Sequence, residues 1–188
     1  GSDGTRGKPW TTIAQGIAAA QVGAVVAVAE GKYPDTLRVD KRVRVWGRCP
    51  AKVELGVIGM LATGAEVHSL ATTGSILAHA GKTALVDRVW FHDSTAFAFG
   101  VDAGVEATVR DCLVERAAGT GVSALGGILH VERTVVRDIK LDSTNIRGEG
   151  MRVDVNDKGL PSTLSVTGSL VERTIGFGIV VVASTATI

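Results

Sequence analysis

Two aspartates, Asp102 and Asp154, have the residue type and spacing for general acid–base chemistry. They recur at one position of a repeat, two repeats apart, which puts roughly 9.6 Å between their backbones at about 4.8 Å per repeat. An inverting glycosidase holds its acid and base about 6.5 to 9.5 Å apart so that a water fits between them. Asp154 is the predicted acid and Asp102 the predicted base. Arg152 and His79 fall on the same outer surface and are predicted to bind the substrate, with Arg152 holding an acidic sugar.

A second interpretation of this row is a solvated line of polar residues on the outside of a sheet. Leu125 and Val182 occupy two of its positions and interrupt the polar pattern. Trp90 is a further candidate substrate contact. Alternation along a strand turns Trp90 outward between inward Val89 and Phe91, where its ring could stack on a sugar.

These residues must be positioned by a repeat, and short segments that begin and end with apolar residues recur along the chain. Their first residues are 23, 22 and 35 positions apart, and the segments are 86–91, 109–114, 131–136 and 166–171. A second series of strand starts runs in phase with the first: Ile76, Phe99, Val122, Met151 and Ile179. A period in the low twenties predicts a solenoid. Two strand series per repeat, with turns, predict an all-β, right-handed parallel β-helix.

Stacking of the coils predicts which residues share a ladder. One inner ladder is expected to contain Phe91, Val114, Val136 and Val171. A second, with smaller side chains, is expected to contain Val89, Cys112, Thr134 and Ser169. Pairs of mixed charge are expected outside, as solvated charge ladders: His92-Asp93, Glu115-Arg116, Arg137-Asp138 and Glu172-Arg173. The longer later steps predict insertions at 145–150 and 156–161.

Composition agrees with a β-helix. The length of 188 residues suits one domain, 1–188, which is either a whole β-helix or the N-terminal part of a longer one. Hydrophobic residues make up 45% of the chain but aromatic residues only 4%, so Val, Ile, Leu and Ala must build the core. The 24 glycines indicate frequent tight turns. Leucine-rich repeats need a Leu and Asn lattice that is missing here, and propeller blades need about twice the period.

Net charge, the length of the apolar runs and the cysteine content argue against several partners and cofactors. The formal net charge of +1 predicts no nucleic-acid partner, because no strong positive field exists. No apolar run reaches about 18 residues, which argues against membrane insertion. Cys49 and Cys112 lack Cys or His neighbours at zinc-site spacing, so neither a metal nor a cofactor is expected. A disulfide between the two cysteines is left open.

The two ends of the chain carry different signals. Thr12–Gln15 has the form of a capping box, and apolar residues at helical spacing follow until Gly23. This predicts a short amphipathic helix that covers the open edge of the first coil. Strands are predicted over 24–29, 36–39 and 42–46, with a turn at Glu30-Gly31. The β-prone segment 179–188 lacks a blunting charge or proline, so we expect either that the natural polypeptide continues or that this edge is covered by another chain or by a second copy.

The N-terminal segments resemble a known group of proteins. Their sequences, in order, are Asp3-Gly-Thr, Trp10-Thr-Thr-Ile, Val25-Val-Ala-Val, Glu30-Gly-Lys-Tyr and Val43-Arg-Val-Trp-Gly47. Over residues 3–47 they are similar to the first coils of pectin methylesterases and related pectin-lyase-like β-helix proteins. Segments 87–93 and 109–112 are similar to the esterase segments before the catalytic coils. The resemblance implies a β-helix of the pectin-lyase-like superfamily.

The catalytic positions of that family are not carried over. A Gln-Asp pair follows the second segment in the esterases, and matching without gaps places Ala118 and Gly119 there. Ala96 occupies the position of the nucleophilic aspartate. The Arg and Asp clusters of pectate lyases and the paired-Asp and Gly-His-Gly signatures of polygalacturonases are not visible either. The resemblance therefore implies the fold without an esterase residue.

Two functions are kept as hypotheses. The first is a non-catalytic module, secreted or at the cell surface, that is structural or binds a polysaccharide or a surface protein. The second is a polysaccharide hydrolase or lyase acting in a groove over one parallel sheet, as is common for these solenoids. A cytosolic scaffold or filament is a third interpretation, because no signal peptide is visible.

Overall fold

The computed structural model describes residues 2–188 and contains a parallel β-helix with one short helix, α1 (Ile13–Ala19), near the N-terminus. Each complete coil contributes three strands. In chain order these are β1 (Val25–Val28), β2 (Gly31–Tyr33), β3 (Leu37–Val39), β4 (Arg44–Gly47), β5 (Val53–Leu55), β6 (Ile58–Met60), β7 (Ala65–His68), β8 (Ala71–Thr72), β9 (Ile76–Ala78), β10 (Thr83–Asp87), β11 (Trp90–His92), β12 (Phe99–Asp102), β13 (Glu106–Arg110), β14 (Leu113–Glu115), β15 (Gly119–Leu125), β16 (Ile128–Glu132), β17 (Val135–Arg137), β18 (Gly148–Asp154), β19 (Thr163–Thr167), β20 (Leu170–Glu172) and β21 (Ile179–Val181). Strand β22 (Thr185–Thr187) begins a further coil.

Three parallel sheets form the walls of the solenoid. Sheet 1 contains the first strand of each coil together with β22, sheet 2 the second strands and sheet 3 the third. Val109 pairs with Val86 on one side and Val131 on the other, and Phe99 pairs with Val122. The predicted fold class and the predicted register of both strand series are confirmed.

The predicted inner ladder forms the core between the sheets. Phe91, Val114 and Val136 are completely buried, while Val171 in the last full coil is half-buried. Phe91 meets Phe99 of sheet 3 edge to face, with ring centroids 6.4 Å apart. Burying each such side chain contributes about 1.5 to 3 kcal/mol, so the ladder holds the coils together without large aromatic clusters.

The predicted ladder of small side chains lies where sheet 1 turns into sheet 2. The backbone N–H of Val89 donates to the Cys112 sulfur (3.4 Å), that of Cys112 to the Thr134 hydroxyl (3.3 Å), and that of Thr134 to the Ser169 hydroxyl (3.0 Å). Each side chain thus satisfies a buried donor of the preceding coil. Both Cys49 and Cys112 are free thiols, and burial raises the pKa of the Cys112 thiol to about 12.

Helix α1 begins with the predicted capping box. Thr12 accepts a hydrogen bond from the Gln15 backbone, and the Gln15 side chain accepts one from the Thr12 backbone. The helix ends at Ala19, earlier than the predicted Gly23, because Ala20 is already extended. Lys41 from the next coil donates to the carbonyls of Ala18 and Ala20 at this end. No helix among residues 2–188 is long and apolar enough to cross a membrane.

Local boundaries differ from the sequence prediction in a few places. Gly31, expected in a turn, begins β2, because the parallel pairing with Val53 extends to it. The first insertion lies over 141–147 rather than 145–150, since Lys140 still pairs with Ala118 of the preceding coil and Gly148 already pairs with Gly119. The second insertion, over 155–162, contains the predicted segment.

Candidate functional site

The predicted catalytic row lies on the outer face of sheet 3. Asp102 pairs with Leu125 and Leu125 with Asp154, so the two aspartates share one row two coils apart, as the repeat predicts. His79 follows β9 and comes before Asp102 in the same row. The side chain of Leu125 is 44% exposed between the aspartates. A substrate that bridged both carboxylates would therefore contact an apolar side chain in the middle.

Arg152 and Asp154, two residues apart on β18, form a closed cluster with Glu149. The Arg152 guanidinium contacts the Asp154 carboxylate at 2.7 Å and that of buried Glu149 at 3.2 Å. The other Asp154 oxygen accepts from the Val155 backbone N–H at 2.8 Å. An acidic proton on Asp154 would therefore face a donor at either oxygen, and Arg152 is already occupied by two carboxylates. The roles predicted for Asp102, Asp154, Arg152 and His79 stay predictions.

The outer charges of sheet 2 form ion pairs between coils. Arg116 makes two bonds to Asp93, at 2.9 and 3.0 Å, and Arg173 makes two to Asp138. The hydrogen bonds from Arg116 lower the pKa of Asp93 to about 2. Two members, His92 and Glu115, are buried rather than solvated as predicted, while the other charged side chains remain partly exposed.

Glu115 is buried because donors from three positions converge on it. Arg137 from the next coil binds one oxygen at 2.7 and 3.0 Å, while Arg116 and the Trp90 indole N–H bind the other. Burial alone would raise the pKa of this carboxyl, but the hydrogen bonds from Arg137 and Arg116 outweigh it and lower the pKa. Glu115 thus anchors Trp90 to the two following coils.

A groove of about 450 Å³ lies beside Trp90, at the corner between sheets 1 and 2. Its lining comes from three coils: Cys49, Pro50, Ala51, Arg88, Val89, Trp90, Asp111 and Leu113. Trp90 and Leu113 are paired neighbours on adjacent strands, so they form a continuous apolar surface. Trp90 is half-buried on the outer face, as alternation predicted. His92 stacks on one face of the Trp90 ring, with the ring centroids 4.0 Å apart. Only the opposite face or the edge of the indole can therefore line the groove.

The charged residues at the rim of the groove belong to ion pairs. Arg88 contacts Asp87 at 2.8 Å, and Asp111 receives two bonds from Arg133, at 2.7 and 2.8 Å. Arg88 and Asp111 occupy equivalent turn positions, each with a left-handed backbone (φ 53°). The stacked turns therefore present alternating charges along this corner, with no net charge in the groove itself.

Arg88 is held by a buried network on sheet 1. Asp87, 3% exposed, bonds Arg110 at 2.9 Å and His68 at 3.1 Å in addition to Arg88. His68 stacks on Trp46 with ring centroids 4.4 Å apart, and the Arg88 guanidinium lies 5.6 Å above the same indole. The position of Arg88 at the rim thus depends on side chains from four coils.

Sequence reasoning identified Trp90 but missed the rest of this groove. The signal for Arg88 and Asp111 was present, since both directly follow sheet 1 strands at equivalent repeat positions. The wall formed by residues 49–51 had no such signal, because this loop matches no position of the repeat. Among residues 2–188, no group of three or more His, Cys, Asp or Glu side chains is arranged to hold a metal ion.

Fold and groove together define the protein as a parallel β-solenoid with a corner groove whose charged lining residues, Arg88 and Asp111, balance each other. Comparisons with protein-family models, with curated proteins and with solved structures found no match in any of the three.

Proposed function

We propose that the protein is a non-catalytic module of the pectin-lyase-like superfamily, secreted or at the cell surface, that binds glycan in the groove beside Trp90. The observation that carries this proposal is the half-buried Trp90 ring, which continues into Leu113 and is bordered by Arg88 and Asp111. Sugar-binding sites combine an apolar surface for the C–H face of a ring with a few polar groups for its hydroxyls.

The charges favour a neutral sugar. Arg88 and Asp111 each already have a partner of opposite charge, so neither offers an unbalanced charge to an acidic ligand. Their remaining N–H groups and oxygen lone pairs are available to sugar hydroxyls. A neutral pyranose laid against Trp90 therefore matches the groove better than a uronic acid.

The non-catalytic assignment is supported by the residues at the positions matched to the esterases. Ala96, Ala118 and Gly119 offer no carboxylate or amide there. Membership of the pectin-lyase-like superfamily is supported by the N-terminal motifs and by the parallel β-helix that follows them. The extracellular location is proposed because the glycan assigned to the groove would be a polysaccharide outside the cell.

Trp90→Ala tests the binding proposal. The parent protein is screened on a glycan array, and the affinity for its best neutral glycan is measured by calorimetry. We expect the variant to bind at least about tenfold more weakly, a loss of about 1.4 kcal/mol, because it removes the aromatic stacking surface.

Leu125→Ala is the matched control for this experiment. Leu125 is also an outward apolar side chain, 44% exposed, but it lies on sheet 3 away from the groove. The control should keep the affinity of the parent. Silence of the parent across the array, or equal affinity of parent and Trp90→Ala, would contradict the proposal.

The enzyme hypothesis has its own test at the sheet 3 row. Asp102→Asn and Asp154→Asn are compared with the parent on a panel of neutral and acidic polysaccharides, by release of reducing ends. The non-catalytic proposal expects no release by any of the three proteins. Release by the parent that either substitution abolishes would show that the row is catalytic.

A further inference from the structure

A second groove lies at the N-terminal end of the solenoid, between helix α1 and strand β1. Its volume is about 420 Å³, and its lining comes from α1, β1, the segment before α1 and Tyr33. Trp10 and Val25, which are 37% and 49% exposed, both line it. Of the described residues that line this groove, only Asp3 is charged. The groove therefore suits a ligand with uncharged side chains.

Strand β1 runs along this groove with one edge unpaired. It is the outermost strand of sheet 1 and pairs with β4 on its other side. The Arg44 backbone N–H donates to the Ala24 carbonyl, so Ala24 and every second residue after it direct their backbone groups at β4. Val25 and Ala27 therefore direct their N–H and C=O groups away from β4. Both residues are exposed, and within residues 2–188 no backbone hydrogen bond links either of them to a further segment.

The sequence of β1 does not protect this edge. Natural sheet edges are commonly blunted by a charged residue, a proline or a bulge. The strand Val25–Val28 has none of these, and its register with β4 is continuous. Helix α1 packs on the inward side of the strand instead, where a side chain at Gly16 would come within 3.1 Å of Val26. The helix thus covers the end of the core and leaves the backbone groups of the edge open.

The other strands of sheet 1 show which side chains fit beside such an edge. Their inward residues are apolar and two positions apart, as in Ala107 and Val109, Leu129 and Val131, and Leu164 and Val166. Thr163 donates to the Gly127 carbonyl of the preceding coil, so Leu164 and Val166 direct their backbone groups at the following coil. A segment added beside β1 in this register would place two apolar side chains over the end of the core and would donate to β1 from the same two residues.

We propose that the free edge of β1 binds an extended segment of another polypeptide by parallel strand addition. The segment is uncharged and carries apolar residues at alternate positions, as the strands of sheet 1 do. A polypeptide matches the edge because only another main chain offers donors and acceptors at the spacing of those of Val25 and Ala27, and because it continues the ladder of sheet 1. The inference is independent of the proposed function, since this groove and the groove beside Trp90 have no lining residue in common.

An NMR titration with a short peptide tests this inference. The probe is the acetylated and amidated peptide Thr-Leu-Ser-Val-Thr, which has the sequence of β19. The indole N–H signal of Trp10, identified by Trp10→Phe, reports on the groove. We expect this signal to shift saturably at millimolar peptide while the Trp90 signal stays in place. No saturable shift of the Trp10 signal would overturn the inference.

Two N-methylated forms of the peptide test the pairing itself. A methyl group on the valine nitrogen removes a donor directed at β1, whereas one on the serine nitrogen removes a donor directed at solvent. The first peptide should bind at least about tenfold more weakly than the unmodified probe, because it loses a main-chain hydrogen bond and cannot approach the edge. The second should keep the affinity of the probe. Equal affinities of the two methylated peptides would contradict strand addition.

Ala27→Pro tests the same contact from the side of the protein. The Ala27 N–H faces away from β4, and proline is tolerated on an edge strand whose N–H faces solvent, so the ladder between β1 and β4 should persist. Peptide affinity should fall at least about tenfold in this variant. Ala27→Ser keeps the N–H and is the matched control, which should bind like the parent. Equal peptide affinity of the two variants would place the peptide elsewhere and overturn the inference.

Fold and self-association are measured in parallel. Circular dichroism verifies the fold of Ala27→Pro, and the methylated peptides on the parent protein decide the question if this variant unfolds. A second copy of the chain is the alternative occupant of the edge. Sedimentation velocity that is the same for the parent and Ala27→Pro would support a separate polypeptide. Dimers of the parent that Ala27→Pro dissociates would overturn the inference in favour of a second copy.

Discussion

Val136→Asp is expected to unfold the protein at room temperature. Val136 is completely buried in the inner ladder between Val114 and Val171. A carboxylate there would be unpaired in an apolar core, at a cost of several kcal/mol, which is comparable with the whole stability of a small domain. Circular dichroism should show loss of the β signal, and Val114→Asp should behave in the same way.

Val135→Asp is the matched control for this prediction. Val135 precedes Val136 in the same strand but faces outward and is half-buried. The two variants have the same composition and carry the same substitution in the same strand. Any difference in stability therefore reports which face of the strand the side chain occupies, and not a change in β propensity. Val135→Asp should fold and melt close to the parent. The opposite pattern would mean that the register is shifted by one residue.

Asp87→Ala is expected to have the second largest effect on stability. The substitution removes the shared partner of His68, Arg88 and Arg110, and leaves a buried imidazole without its Nδ1 acceptor. Breaking a buried ion pair from one side costs about 3 kcal/mol. Urea denaturation should therefore show a clearly lower midpoint with an unchanged slope.

The loss of stability at acidic pH tests the role of Asp87 independently. The pKa of Asp87 is lowered from 3.8 in the folded state, because hydrogen bonds from Arg110 and His68 outweigh the effect of burial. Its contribution to stability is present above that value and is lost as the pH falls through the folded-state pKa. Asp87→Ala should therefore flatten the loss of stability below about pH 4.

Asp111→Ala is the control for Asp87→Ala. Asp111 lies at the same corner, one coil further on, and is bound by Arg133, but both side chains are exposed. Solvent screens such a pair, so its removal should change the free energy of unfolding little. If both variants were equally stable, the network around Asp87 would contribute no more than an exposed ion pair.

Much of the fold could be predicted from sequence because coils repeat the same physical requirement. Val86, Val109 and Val131 are each one coil apart. Because this position must be apolar in every coil, it recurs at a regular spacing that can be recognised in the sequence. Val166 was placed correctly despite the longer step, because the inserted loops bulge outward and leave the paired strands unchanged.

The groove was harder to predict because its parts do not repeat. Alternation placed Trp90 outside, but the wall over 49–51 is an irregular loop between β4 and β5. The burial of Glu115 could not be predicted from its own position either. It arises from the convergence of Arg137, Arg116 and Trp90, whose side-chain directions the strand pattern does not determine.

The most direct test of the glycan groove is an NMR titration that follows the indole N–H signals. The chain has three tryptophans, so three signals can be assigned by replacing each residue with Phe in turn. With the glycan selected on the array, the account predicts that the Trp90 signal shifts saturably while the Trp10 signal, from the N-terminal segment, stays in place. Saturable binding that leaves the Trp90 signal unchanged would contradict the account and place the ligand elsewhere on the solenoid.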